Sequence, residues 1–386
     1  MQISQRANSI AASQSLAMAA RAKKMRAEGI DVISMSLGEP DMDTPEHIRL
    51  AAQEAIDNHW SHYGPVPGIP SLREAIAQSQ IINQKSQICF TSDDVLVSIG
   101  AKMAIYNAIQ TLINPGDEVI IPMPSWVSYT EMVKLSEGKV VPVQTTYEDN
   151  YLLTPHQLRA ALSERTRMLI LCSPNNPTGS VYSRAQLQAL IDVLRDFPNV
   201  TILSDEIYRC LTYGCEAPGL ASFPELQDRL VIVNGVSKAY AMTGYRIGWL
   251  LSKNRDFLSA CTRLQGQQLT CATMVAQKAA EAALTGPQEC VAEMRQTFAE
   301  RRELICRLAS EVPGFRFREP QGAFYLFPDV SAIGSGDEVA ERLLDEAHVA
   351  VVSGSAFGCP ECIRLSYAIS TEEIEDAMRR IKIALS

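Results

Sequence analysis

Hydrophobic positions change their spacing along this chain. Between about residues 90 and 235, short unbroken apolar runs alternate with segments whose apolar residues recur every three or four positions. The runs at 95–99, 118–122, 140–143, 168–172, 200–203 and 231–233 have the length of strands. Ile105, Ala108, Ile109 and Leu112 mark one intervening helix, and Leu187, Leu190, Ile191 and Leu194 another. Ser183 with Gln186 three residues on reads as a capping box opening that second helix. Strands apolar on both faces and separated by helices predict a mostly parallel sheet covered on both sides.

The flanks read differently. Residues 1–30 form a helical arm with a mixed face, and 33–37 a short strand that breaks at Gly38 to Asp41. Thr44 is expected to cap a helix that Pro45 starts and that runs to about residue 58. A loop at 62–70, with three prolines and two glycines, precedes a helix with Ser71 as cap and Glu74 as its capping-box partner. After about 255 the pattern turns helical, with a long polar helix over 287–310. Short strands follow at 315–318, 324–327, 349–352 and 363–367, with helices at 337–347 and 371–384. This predicts an α/β fold: a large domain over 46–288, and a small α+β domain made from 1–45 and 289–386.

At 386 residues the chain has room for two such cores. Its net charge of −9 carries no basic run, which argues against nucleic acid or an anionic membrane as partner. No apolar stretch reaches the ~18 residues of a membrane span. Polar residues interrupt the alanine-rich start, so a cytoplasmic protein is expected. Ten cysteines are scattered singly apart from Cys359 and Cys362. One C-x-x-C without a second pair is a weak metal signal, and no metal site is expected. Cys362 does stand two residues before Arg364, so modifying its thiol would act close to that arginine.

In parallel sheets, ligands bind beyond the carboxyl ends of the strands. The residues just past the predicted strands are Gly100, Ala101 and Lys102, then Trp126, Asn175 and Asn176, Asp205, and Ser237 with Lys238. Gly100 precedes a helix whose free N–H groups and dipole can hold a phosphate, with Ser237 and Arg246 as further anchors. Asp205 can pair with a protonated ring nitrogen, Tyr208 can donate to a phenolate-like oxygen, and Trp126 offers a face for stacking. Lys238 supplies an amine for a Schiff base. Phosphate, pyridinium and aldehyde together describe pyridoxal 5'-phosphate.

Five segments then carry a family resemblance. Ser-Leu-Gly-Glu-Pro-Asp (36–41), Ser-Pro-Asn-Asn-Pro-Thr-Gly (173–179), Ser-Asp-Glu-Ile-Tyr (204–208), Ser-Lys-Ala-Tyr-Ala-Met-Thr-Gly-Tyr-Arg-Ile-Gly-Trp (237–249) and Arg-Leu-Ser-Tyr-Ala (364–368) resemble the class I aminotransferases of fold type I. Within these the chain is most similar to the aspartate and prephenate branch of bacteria and plastids. The resemblance implies that Lys238, Asp205 and Tyr208 are catalytic, and that Asn176 and Tyr208 bond the ring oxygen, across a cis Asn176–Pro177 bond. It implies a homodimer in which Tyr63 reaches the partner's phosphate. Arg364 would take the substrate α-carboxylate, helped by Gly38, Trp126 and Asn176. Lys102 would read a distal carboxylate, with Ser15 in place of the threonine that relatives carry. Amino acids and 2-oxo acids, namely aspartate, glutamate, oxaloacetate and 2-oxoglutarate, are the implied substrates, with prephenate a further one.

Two other activities stay open on this fold: transamination of aromatic or neutral amino acids, and C–S lysis. A non-catalytic member could dispense with Lys238 and Asp205, and this chain has both. A nicotinamide enzyme is disfavoured because no G-x-G-x-x-G follows the first strands.

Overall fold

The computed structural model describes residues 1–11, 14–82 and 86–386, and all of their side chains except those of 14–16 and 81–82. Two short helices, Gln5–Asn8 and Gln14–Ala27, lead into β1 (Ile33–Ser34). The helices Glu46–Asp57 and Pro70–Ile82 follow. Seven strands then build one sheet: β2 (Val95–Ser98), β3 (Glu118–Met123), β4 (Lys139–Gln144), β5 (Thr166–Cys172), β6 (Thr201–Asp205), β7 (Leu230–Gly235) and β8 (Gly248–Leu251). Their order is β2-β8-β7-β6-β5-β3-β4. Only β8 runs against its neighbours, pairing antiparallel with β2 and β7. All the others therefore point the same way, and their carboxyl ends share one rim.

The unbroken apolar runs follow from this position. Val97, Ile120, Leu169, Ile202 and Ile232 face one core, into which the helices Pro70–Ile82, Arg184–Leu194 and Met274–Thr285 pack. Leu96, Ile121, Ile170, Leu203, Val231 and Leu250 face another, filled by the helices Ala101–Leu112, Ser128–Leu135 and Arg255–Gln268. With no face left to water, alternation disappears.

The free edge of β2 is closed by a loop and two side chains rather than by another strand, Arg73 donating to the Val95 carbonyl at 3.3 Å. Val97 N–H donates to the Pro67 carbonyl at 3.0 Å. The buried Gln265 amide donates to the Val97 and Val66 carbonyls at 2.8 and 2.9 Å. The same Gln265 accepts from Ser98 and Asn107, so its hydrogen-bonding capacity is filled. At the opposite edge β4 carries Pro142, which cannot donate to a ladder.

The rest of the chain forms smaller sheets around the long helix Glu289–Ala309. β9 (Tyr325–Leu326) and β11 (Val352–Ser353) flank β12 (Ile363–Ser366) in a three-stranded antiparallel sheet. β10 (Val349–Ala350) pairs in parallel with β1, joining the two ends of the chain. The helices Gly336–Ala347 and Thr371–Leu385 cover this unit, each opened by a capping box. Its core takes in Ile33, Met35, Phe298, Phe324, Leu343, Val349, Leu365 and Ile381.

Several local expectations give way. Thr44 does not cap: its hydroxyl donates to the Ala241 carbonyl at 2.7 Å, tying the arm to the Lys238 loop, and Pro45 itself stands at the cap. Ser71 lies inside the first turn of a helix that begins at Pro70, and Glu74 accepts from Gln78 instead. The strand expected at 315–318 makes only the bridge from Arg316 to Asp329, because Arg316 and Arg318 stack on the Tyr147 ring at 3.9 and 4.3 Å. The run at 349–352 divides between two sheets, and only Ile33 and Ser34 of 33–37 enter a ladder. β8 was not expected at all.

Candidate active site

At the shared rim the residues following five strands converge on a cavity of about 330 Å³. Gly38, Ala101, Lys102, Trp126, Asn176, Asp205, Tyr208, Ser237, Lys238, Arg246 and Arg364 all line it. Gly100 is not itself among the lining residues, and three other expected members are placed differently. Asn175 is turned away, its amide donating to Pro124 and Thr178. Tyr63 is 90% exposed and lies outside the cavity of its own chain. The side chain of Ser15 lies outside the described residues.

The end of the cavity near Ala101 and Arg246 rests on close approach of backbones. Gly100 stands at the cap of Ala101–Leu112 with φ +84, and no side chain caps that helix start. A Cβ on Gly100 would lie 2.5 Å from the Arg246 guanidinium. Across the sheet, a Cβ on Gly248 would lie 2.2 Å from the Ala101 nitrogen. Both glycines let the helix start, β8 and the arginine meet. Arg246 itself adopts a left-handed conformation, φ 59, with its guanidinium donating to the Thr243 carbonyl at 2.8 Å. The result is a cradle of helix N–H groups, Ser237 and a guanidinium, the donor set that an oxyanion requires.

Asp205 ends β6 inside the cavity, 3% exposed. Burial pushes its carboxyl up to about 6, opposed by hydrogen bonds from Tyr129 at 2.6 Å and from the Ile207 N–H at 3.1 Å. Lys238 follows β7 and donates to the Gly38 carbonyl. Burial brings its ammonium down to about 8; Glu39 pulls the other way, while Arg364 and Arg246 lower it further. The amine is therefore accessible as a nucleophile and proton carrier near neutral pH. Burial, with Arg246 nearby, likewise lowers Lys102, whose ammonium sits 4.8 Å from the centre of the Trp126 ring.

Arg364 is brought to the rim by β12 and is 3% exposed. One guanidinium nitrogen donates to Asn176 Oδ1 at 3.0 Å and another to the Ser36 carbonyl at 2.7 Å. The Tyr325 and Phe357 rings lie 4.4 and 4.9 Å from its centre. Its Nε has no partner, and no carboxylate among the described residues pairs with it. A buried guanidinium held this way is set for a planar anion from outside the chain.

Two residues here escaped the sequence. Tyr129 donates to Asp205, and Tyr325 shares a 2.8 Å hydrogen bond with the Tyr208 hydroxyl while covering Arg364. Tyr325 was hidden in an apolar run. Tyr129 had one available signal, its place one helical turn beyond Trp126.

The donor set fits pyridoxal phosphate end to end: an oxyanion cradle, a buried acid for a ring nitrogen, a tyrosine, and a low-pKa lysine between them. The chain matches the aminotransferase class I and II family over residues 30–381 and belongs to it. It is a transaminase of fold type I. It is 42% identical to an aspartate aminotransferase of Bacillus sp. over 387 residues, covering 98% of each chain. It is 40% identical over 400 residues to an aspartate/prephenate aminotransferase of Nitrosomonas europaea, covering 100% of both. A solved aspartate aminotransferase of Thermus thermophilus with maleate superposes with a TM-score of 0.95 at 37% identity, covering 100% of each chain. The Asn176–Pro177 bond is cis, as expected.

Proposed function

We propose that this chain is a pyridoxal phosphate-dependent aspartate aminotransferase, working as a cytoplasmic homodimer on L-aspartate and L-glutamate with their 2-oxo acids. The observation that carries it is Arg364, a buried cation with hydrogen-bonding partners but no counter-charge among the described residues. Aspartate aminotransferases of Bacillus and Thermus support the substrate class, as does the dicarboxylate maleate in the latter's crystal.

Bound pyridoxal phosphate supplies an aldehyde that joins to amino groups and a ring that draws electrons from the substrate Cα. The protein does the rest. The start of Ala101–Leu112, Ser237 and Arg246 would grip the phosphate. Asp205, ionised above about 6, would keep the ring nitrogen protonated, with Tyr129 holding the carboxylate in place. Tyr208 and Asn176 would bond the ring oxygen. Arg364 would orient the α-carboxylate so that the Cα–H faces Lys238, whose amine would take up and hold that proton. Lys102, beside Trp126, would select a second carboxylate on the substrate. Tyr63, exposed on its own chain, would complete the partner's phosphate site. Residues 46–288 would form the large cofactor-binding domain, and 1–45 with 289–386 the small one. The relative from Nitrosomonas makes prephenate a second acceptor to assay.

The purified protein should be yellow, lose that colour on adding aspartate alone, and recover it with 2-oxoglutarate. Failure to acquire colour from added pyridoxal phosphate would overturn the reading. Lys102→Ala should lower kcat/KM about 100-fold for aspartate but only a few-fold for a neutral donor; equal losses would remove Lys102 from substrate selection.

A further inference from the structure

Away from the cavity, one tight turn gathers three metal-ligand atoms. Cys359, Pro360, Glu361 and Cys362 connect the segment after β11 to β12. The Cys362 N–H donates to the Cys359 carbonyl at 3.1 Å, the Cys359 N–H to Gly354 at 3.0 Å, and the Gly354 N–H to Cys362 at 2.7 Å. These bonds fold the turn back on itself and aim both thiols inward. Cys359 Sγ lies 3.4 Å from Cys362 Sγ and 3.3 Å from Glu361 Oε1. The cysteines are buried against Tyr151, Phe327 and Phe357, while Glu361 is exposed and forms the lip. Among the described residues this is the one group of three His, Cys, Asp or Glu ligand atoms so close together.

We propose that this turn binds one soft divalent cation of the zinc type through Cys359 Sγ, Cys362 Sγ and a Glu361 carboxylate oxygen, with water in the fourth position. Dimensions favour it. With metal–sulfur bonds of about 2.3 Å and metal–oxygen bonds of about 2.1 Å, a tetrahedral site has S–S edges of roughly 3.8 Å and S–O edges of roughly 3.6 Å. The S–S edge and the Cys359–Glu361 edge already come within about 0.4 Å of these; the third, from Cys362 to Glu361, is under 4.8 Å, and the Tyr151 hydroxyl stands 3.6 Å from Cys362 Sγ. A disulfide would need the sulfurs to close to about 2.05 Å.

Charge balances as well. Two thiol protons leave to solvent as two positive charges arrive, so the turn keeps the charge it had with Glu361 ionised. Cys359 and Cys362 alone are a weak metal signal in the sequence; the fold adds Glu361 and the spacing. The cation would pin the start of β12, two residues before Arg364. It would stabilise that strand while leaving the Arg364 guanidinium to its own partners, Asn176 and the Ser36 carbonyl.

The holoenzyme should be titrated with Cd²⁺, whose bonds to thiolates absorb in the ultraviolet, and with Zn²⁺ followed by metal analysis. Expected are one ion per chain, a thiolate band and a raised Tm, with kcat/KM for aspartate changed less than about twofold. Glu361→Gln, at an exposed side chain, should weaken binding about tenfold or more while the fold and activity persist; Cys362→Ala should abolish the band. Absence of the band in protein with free thiols would overturn the proposal. So would binding unchanged in both variants, or isolated protein two hydrogens lighter with Cys359 and Cys362 joined.

Discussion

A carboxylate sealed from water stays charged only if something else replaces the water, and at Asp205 that something is largely Tyr129. Burial lifts the carboxyl to about 6, while the tyrosine and the Ile207 N–H hold it from rising further. In Tyr129→Phe it should rise. Asp205 is ionised above its pKa, so the pH at which it can hold a protonated ring nitrogen should move up. The cofactor dissociation constant should increase about tenfold near neutrality, the difference shrinking as pH increases. Equilibrium dialysis across pH checks this, and equal affinities at every pH would assign Tyr129 to packing with Trp126 instead. Residues at strand ends, such as Asp205, Lys238 and Asn176, were legible because topology alone sends them to one rim. Tyr129 and Tyr325 were not, because what they do depends on hydroxyls meeting partners far along the chain.

Elements were legible where one rule decided them. The Ser183 capping box stands as expected, with Gln186 returning the hydrogen bond. The central strands end within a few residues of the apolar runs that announced them. The rule misled at Thr44 and Ser71, where a tertiary acceptor and an earlier proline settled the helix start. β8 was missed because four residues after a glycine-rich turn carry no periodicity, and its antiparallel direction is a property of the sheet. Yet β8 matters to the chemistry. Its first residue, Gly248, presses on the start of the helix Ala101–Leu112, so Gly248→Ala should push Ala101 away. We expect cofactor affinity to fall about 10- to 100-fold with Tm of the cofactor-free protein changing by only a few degrees. Calorimetry with and without pyridoxal phosphate separates the two.

Tyr63 is fully formed yet serves nothing in its own chain, being exposed and outside the cavity. If it completes the site of a second copy, two inactive proteins should rescue one another. Mixed dimers of Tyr63→Ala with Lys238→Ala contain one site with both residues intact. Their activity should exceed that of either parent and approach half that of the unaltered dimer. No gain after subunit exchange, verified by mass, would place Tyr63 elsewhere. The Gln265 amide that closes β2 has a consequence of another kind. It lies later in the chain than every strand of the sheet, so during synthesis or refolding the sheet can assemble while that edge still offers unpaired peptide groups. Pro142 protects the far edge from the outset; on the near edge Pro67 and Arg73 can act early, while the Val97 carbonyl waits for Gln265. Until the helix carrying Gln265 docks, a neighbouring chain can pair where the amide belongs, which makes this edge the place where crowding would cost correctly folded protein.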